Sequence, residues 1–568
     1  MKKPIYILGT GLSHNGSAVL LKDGCVCVAI EKERLTRIKH DGGNDTLAIQ
    51  YCLEAEGIDM SAISLVVQCA NFDIPNSKQF NGKRIFSDAN SPQIITISHH
   101  LAHAYSAVGT SPFSECAVMI IDGCGSPLNQ HLELHPEEKL IIQSKFIRQN
   151  KMLCEKDSFY HFRDNKLIPL FKDFSEMGEM NNDLLAMSTT KHSIGGFYAA
   201  VSKYVFGDME DVGKLMGLAP FGKSNSFDCD AFEFRNKCLF VKDDWKRNFL
   251  NPSKGYEYFI QHFSYYADVA RWAQEQVEKA ILSCFKFRME RFPHKNLCFS
   301  GGVALNAVAN SKLEDAFPET NIFFEPAAAD NGLALGCAFY GWISYFGEEK
   351  IQHDGSTCFG KQYSHEEIDV VVKKEIGEDF NKLFFLNEEE LISYCAAKLN
   401  NGKTIGWFQS GSEFGPRSLG RRSILAHPGV ENMKNHINRN IKFREDFRPF
   451  APAVLKDKVE DYFEKGRNSP YMILVDKTRP EFLQQLVNVT HCDGTARVQT
   501  VDSNWNYRFN KLIEEFGKHS GISVLLNTSF NKRGMPMVES PLDAIELFKE
   551  TAIDVLVMEN TVIEKKAF

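Results

Sequence analysis

The sequence predicts an α/β protein built as two units. Short apolar runs of strand length alternate with helical stretches along the whole chain. Several runs end in glycine-punctuated turns that lead into helices, as in KNLCFSGGVALNAVAN at 295–310. Between about 347 and 385 the texture changes. GEEKIQHDGSTCFGKQYSHEE is polar and turn-rich, so a boundary is expected there, giving units 1–350 and 351–568.

The elements follow in order. YILGTGLSHNGSAVLL reads as a strand, a Gly/Ser/Asn bend and a second apolar run; LKDG is a turn and CVCVAIE a further strand. AVMIID at 117–122 is a short buried strand that delivers Asp122 to a tight turn. Residues 264–290 are helical. NIFFEPAAADNGLALGCAFYGWISYF gives a strand, a loop carrying Asp330 and a helix. The most apolar long window, 327–346, contains Asp330 and Asn331, which argues for a buried helix rather than a membrane span. The second unit offers a helix near 388–400, the strands TIGWFQ and ISVLLN, and the helix DAIELFKE.

Bulk properties narrow the function. The chain has 568 residues, ordinary apolar (43%) and charged (24%) fractions, and a net charge of -8. That balance argues against a general nucleic-acid or membrane-surface binder, which needs a basic face. The 15 cysteines are scattered and form no CxxC pair, which suits reduced thiols in a cytoplasm better than a disulfide framework. The first residues hold too short an apolar run for a signal peptide.

Five groups of residues could carry chemistry. In TISHHLAHAYSA, His99 and His103 are four apart and share a helical face, while His100 points elsewhere. With Asp122 and Asp330 they form an imidazole–carboxylate set suited to a divalent transition metal. Alone, the same spacing is equally a helix whose histidines cap or hydrogen-bond in the core. The second group is the pair of glycine turns, Asp122-Gly-Cys-Gly and Ser300-Gly301-Gly302, whose backbones could approach an anion. The third is rich in arginine: Arg417, Arg421 and Arg422, then Lys442, Arg444 and Arg448, then His491 and Arg497. Such cations grip phosphates, or else form a solvated basic face. LLNTSFN, with Asn527, Thr528, Ser529 and Asn531, ends a strand in hydrogen-bonding side chains that serve a ligand or a turn cap. His14, in GLSHNGS, is a general-base candidate or an inert loop histidine.

Taken in order, HHLAHA, the Asp122 turn, GKLMGLAP, LCFSGGVALN, EFGPRSLGRRSI, FREDFRPFAP, DGTARVQTV and LNTSFN resemble the O-carbamoyltransferases of the tobramycin-carbamoylating and NodU type. The resemblance runs from about residue 4 to the C-terminus. It implies an N-terminal domain of the ASKHA fold (actin/hexokinase-like, a duplicated RNase H-like unit). That domain is similar to the threonylcarbamoyl transferase of tRNA modification. A YrdC-like α/β domain would follow it.

The resemblance also implies chemistry. Carbamoyl phosphate and ATP would give carbamoyl-adenylate in the C-terminal domain, and the carbamoyl group would then pass to a small-molecule hydroxyl in the N-terminal domain. By similarity, His99, His103, Asp122 and Asp330 are metal ligands, with iron(II) the expected ion, and His14 is the general base. Lys39, Gly301, Gly302 and Asn306 are nucleotide contacts of the N-terminal domain. Arg417, Lys442, Arg448, Arg497 and Ser529 hold carbamoyl phosphate and ATP, with Mg²⁺. Two positions depart from the pattern: Asn15 stands where aspartate is common, and Ser418 where alanine is.

Two other readings compete. Carbamoylation of a protein, as in hydrogenase maturation, would come with an acylphosphatase-like segment and CxxC zinc motifs, which the sequence lacks. A nucleotide-binding partner in tRNA modification would want a basic surface. Acceptor specificity is expected in loops around His14 and in regions 70–95 and 145–190.

Overall fold

A computed structural model describes residues 3–70, 85, 92–144, 152–176, 193–242 and 244–566. Most of the two regions expected to border the acceptor lies outside the described residues. By contact density the chain forms two units, Met1–Cys27 with Gly42–His353, and Val28–Asp41 with Asp354–Phe568.

The opening apolar runs become strands β1 (Tyr6–Gly11), β2 (Ser17–Lys22) and β3 (Cys25–Glu31), of which β3 passes from the first unit into the second at Val28. The two-residue turn Asp23–Gly24 suits the left-handed backbone both residues adopt. Strands β4 (Ile63–Cys69) and β5 (Ile94–Ile97) complete a sheet of order β3-β2-β1-β4-β5. Strand β1 pairs antiparallel with β2 and parallel with β4, and β4 pairs parallel with β5.

The same plan is then repeated. Strands β6 (Cys116–Ile121), β7 (Leu153–Arg163) and β8 (Lys166–Glu176) form an antiparallel meander. A small hairpin follows, β9 (Phe232–Arg235) with β10 (Cys238–Val241). Strands β11 (Asn296–Ser300) and β12 (Asn321–Phe324) then add in parallel beside β6, giving the order β12-β11-β6-β7-β8. Three antiparallel strands followed by two parallel ones, twice in one unit, is the duplicated RNase H-like plan of the ASKHA fold.

Two helices lie between these sheets. Helix Leu333–Tyr340 packs on β1, β2 and β4, and helix His99–Thr110 packs on β6, β7 and β11. All twelve residues of His99–Thr110 are buried, so it has no solvated face at all. The helices touch through backbone. A Cβ on Gly336 would lie 1.7 Å from the Ala102 carbonyl oxygen, which only glycine avoids. This contact brings the histidines and Asp330 to one place.

The second unit is a nine-stranded mixed sheet. Its strands are β13 (Phe380–Phe384), β14 (Ile405–Phe408), β15 (Arg422–Ala426), β16 (Ala451–Leu455), β17 (Leu474–Lys477), β18 (Thr495–Val501), β19 (Val524–Ser529), β20 (Val555–Met558) and β21 (Thr561–Lys565). Their order is β13-β21-β20-β14-β15-β19-β16-β18-β17. Helices Glu388–Asn400, Ser503–Ser520 and Pro541–Glu550 supply apolar residues to its core. The turn-rich stretch at the boundary is more ordered than its composition suggests. It holds helix His365–Glu375, started by a Ser364/Glu367 capping box, and edge strand β13. Among the described residues no helix is long and apolar enough to cross a membrane.

Candidate active site

Four side chains converge in the first unit. His99 and His103 come from successive turns of one helix, Asp122 from the residue after β6, and Asp330 from the turn entering helix Leu333–Tyr340. One ligand atom from each lies within 4.8 Å of all the others, and all four residues are buried. His99 Nε2 is 3.1 Å from His103 Nε2, 3.1 Å from Asp122 Oδ2 and 3.3 Å from Asp330 Oδ1. His103 Nε2 is 3.8 Å from Asp330 Oδ1. A metal about 2.1 Å from its ligands sets neighbouring ligand atoms roughly 3.0–3.4 Å apart. Most of these separations therefore fit one cation.

The charges fit as well. Burial opposes a charge on His99, but Asp330 and Asp122 outweigh it and hold the imidazole well above its usual range. Burial, and then the charge on His99, push His103 down to about 4. The two carboxylates are thus held ionised by imidazolium partners, whose positive charge a divalent cation would replace.

His14 stands beside this set. Its Nδ1 is 3.3 Å from Asp330 Oδ2, and its Nε2 is 3.3 Å from the amide of Asn15, one of the two departures from the pattern. Partial burial works against its charge, but Asp330 outweighs it and lifts the imidazole to about 9 when no cation sits on that carboxylate. His100 is turned away and hydrogen-bonds Ser158 through Nδ1 at 2.8 Å.

The glycine turn serves the cluster rather than lying open. Gly301 adopts φ +89, and a Cβ there would lie 2.3 Å from the Ile121 carbonyl oxygen. Gly302 donates its N–H to Asp122 Oδ1 at 3.0 Å, which fixes that carboxylate. Asn306 is committed twice over. Its Oδ1 caps helix Ala307–Ala316 by accepting from Ala309 N–H, and its amide exchanges two 3.0 Å bonds with Gln274.

The second unit gathers cations. Arg417, Lys442, Arg444, Arg448 and Arg497 lie close enough for their charges to act on one another. Burial first, and then Arg417, Arg444 and Arg448, press Arg497 well below the usual guanidinium range. Burial, with Arg448, brings Arg417 down to about 10. The Nε atoms of Arg417 and Arg497 are buried without a hydrogen-bond partner among the described residues. A cation cluster with unused donors is the complement of a polyanion.

Lys442 donates to the Ser529 carbonyl at 2.6 Å, to Ser529 Oγ at 3.1 Å and to Asn531 Oδ1 at 2.5 Å. Its amino group is therefore fixed in place, while burial and then Arg444 and Arg448 work against its charge. Next to it Phe443 holds a left-handed φ of 50, turning the chain so that Arg444 Nε meets Asn438 Oδ1 at 2.8 Å.

Two sequence expectations change here. Lys39, expected in the N-terminal domain, groups with the second unit, where its charge acts on Lys442. The reason is that the segment Val28–Asp41 belongs there: Arg37 donates to the Met537 carbonyl at 2.5 Å and to the Pro536 carbonyl at 3.0 Å. Arg444, part of the FREDFRPF motif, joins the expected pocket residues. Arg421 and Arg422 do not. Arg421 reaches the Ser410 hydroxyl and the Trp505 carbonyl, while Arg422 stacks 3.5 Å over Phe408 and donates to the Gln409 and Ser410 carbonyls.

Comparison with known proteins assigns the frame in which these sites sit. Residues 6–90 and 81–339 match the family model described as the carbamoyltransferase N-terminus, and residues 396–565 match the carbamoyltransferase C-terminus. The chain belongs to the carbamoyltransferase family. It is similar to the nodulation protein NolNO of Sinorhizobium fredii, 31% identical over 97% of this chain and 79% of that protein. It is also similar to the 3'-hydroxymethylcephem-O-carbamoyltransferase of Amycolatopsis lactamdurans, 28% identical over 62% of this chain and 65% of that enzyme. HypF of T. kodakarensis, a solved structure, is 14% identical with a TM-score of 0.39 over 61% of this chain and 49% of its own. This member of the family is an enzyme that transfers carbamoyl groups.

Proposed function

We propose that this carbamoyltransferase is an ATP-dependent O-carbamoyltransferase acting on a hydroxyl of a small molecule, a sugar or another secondary metabolite. The observation that carries the donor half is the cation cluster of the second unit. Arg417, Lys442, Arg444, Arg448 and Arg497 form a site for phosphate-bearing substrates, carbamoyl phosphate and ATP with its Mg²⁺. Carbamoyl phosphate would react with water to give carbamate and inorganic phosphate. A carbamate oxygen would then attack the α-phosphorus of ATP and displace pyrophosphate. Carbamate is a poor electrophile until its oxygen becomes a good leaving group, which AMP provides.

The transfer half belongs to the first unit. His99, His103, Asp122 and Asp330 would hold a divalent transition metal, iron(II) by family resemblance, which supplies charge for the adenylate phosphate. His14, oriented through Nδ1 by Asp330, is placed to take the acceptor's proton as its oxygen attacks the carbamoyl carbon and AMP leaves. The cephem enzyme, by its name, also places a carbamoyl group on a hydroxyl oxygen, which supports an O-acceptor.

Incubation with carbamoyl phosphate, ATP and Mg²⁺ should release pyrophosphate. His14→Asn should keep that release and lose transfer by about 10²-fold or more. No ATP cleavage to AMP and pyrophosphate in the presence of carbamoyl phosphate would sink the reading.

A further inference from the structure

Behind the four-residue cluster lies a second set of charged side chains to which the proposed reaction assigns no part. His131, Glu133 and Glu155 place ligand atoms within 4.8 Å of one another, as a metal site would. The protein fills the centre itself. Lys172 Nζ is 2.7 Å from Glu155 Oε2, 2.8 Å from Glu133 Oε1 and 3.2 Å from His131 Nδ1. Glu155 and Lys172 are adjacent in space because β7 and β8 pair, and both side chains are excluded from solvent.

The other oxygen of Glu155 bonds the segments that carry the candidate metal ligands. Oε1 accepts the N–H of His100 at 2.9 Å and the N–H of Ser126 at 3.2 Å. Ser126 Oγ in turn accepts the N–H of His99 at 2.9 Å. The first two N–H groups of the histidine helix, which no helical carbonyl can satisfy, therefore end on Glu155 and its neighbour. The turn after Asp122 ends there too, since Gly125 N–H bonds the Glu155 carbonyl at 2.9 Å. A Cβ on Gly125 would lie 2.2 Å from Glu155 Cγ. One carboxylate thus ties together the two segments that supply His99, His103 and Asp122.

We propose that Glu155, neutralised by Lys172, is the positioning residue that pre-forms the metal site by locking the start of the histidine helix to the Asp122 turn. Lys172 serves as a permanent internal cation, so the second cluster takes no metal. Burial works against the Glu155 charge, but His100, His131 and Lys172 outweigh it and hold the carboxyl well below its usual range. Glutamine would keep the shape and lose the charge that accepts from two N–H groups and an ammonium at once.

The inference rests on the first cluster being a metal site, and the experiment separates the two. Metal affinity is measured by chelator competition with Fe²⁺ and Mn²⁺ on the full chain, alongside circular dichroism and pyrophosphate release. Wild type should bind one equivalent. Glu155→Gln should bind about 10- to 100-fold more weakly while remaining folded and releasing pyrophosphate at the wild-type rate. A purely structural role would lower the unfolding temperature and leave the affinity of the folded protein unchanged, and that result overturns the proposal. Two equivalents bound to wild type would overturn the role given to Lys172. If wild type binds no metal, the metal-site reading itself fails. Should Glu155→Gln not fold, Ser126→Ala removes the link to His99 and should weaken metal binding by a few-fold; unchanged affinity there is equally decisive.

Discussion

In the first unit two carboxylates face two imidazoles at 3.1–3.8 Å, while in the second five cations share a pocket in which, among the described residues, Glu445 is the carboxylate acting on them. The first arrangement pairs its carboxylates with imidazoles, whose protons a bound cation would displace. The second is self-repelling until an anion arrives. Glu445 divides its charge between Arg533 at 3.2 Å and Arg448 at 3.9 Å, so it offsets part of the repulsion. The two sites are therefore complementary to the two ends of the proposed chemistry, a cation for transfer and phosphates for activation. Only the second stores unfavourable electrostatics that ligand binding relieves.

The largest test removes a ligand from the first site. His103→Ala should take bound transition metal from one equivalent to nearly none by elemental analysis, and lower carbamoyl transfer by roughly 10³-fold. Pyrophosphate release, assigned to the second unit, should persist. An unchanged metal content would return HHLAHA to a helix whose histidines only hydrogen-bond in the core.

The second site should respond with the opposite sign in stability. Arg497→Met removes one buried cation from a cluster of repelling cations. The ligand-free protein should become more stable, by about 1–2 kcal/mol in urea unfolding. Pyrophosphate release should nevertheless fall about 10²-fold. A variant that lost stability and kept that rate would show Arg497 to be structural, as Arg421 and Arg422 are.

The same contrast explains what was legible in the sequence. Local spacing gave His99 and His103, and strand ends gave Asp122 and Ser529, because periodicity reports which side chains share a face. The meeting of Asp330 with the histidines depends on Gly336 against Ala102, a packing event between distant segments that no local pattern encodes. Glu155, Lys156 and Asp157 were illegible for another reason. Three charges in succession read as solvated surface, yet all three are buried in β7, because Lys172, Asp173 and Arg288 neutralise them. In the second unit, arginine density pointed to a cluster of cations but could not divide Arg417 and Arg497 from Arg421 and Arg422. That division depends on whether backbone carbonyls lie within reach.

A finer test asks whether burial or partners decide the charge of a carboxyl in the first unit. Asp330 and Glu325 are both buried and only five residues apart. Burial opposes the charge on Asp330, but His99 and His14 overcome it and hold the carboxyl well below its usual range. Among the described residues Glu325 meets neutral partners, the Thr110 hydroxyl and the Ala327 N–H at 3.2 Å, and burial raises it from 4.5 to about 7. A carboxyl whose value is higher folded than unfolded stabilises the protein fully below pH 4.5. That contribution is lost as pH rises through 7, here by up to ~3 kcal/mol. Glu325→Gln keeps the hydrogen-bonding shape without a proton to lose. The gap in unfolding free energy between Glu325→Gln and wild type should therefore widen from pH 4.5 to pH 8. Parallel curves over that range would mean that Glu325 ionises as freely as Asp330, and that neutral hydrogen bonds suffice to hold a charge in this core.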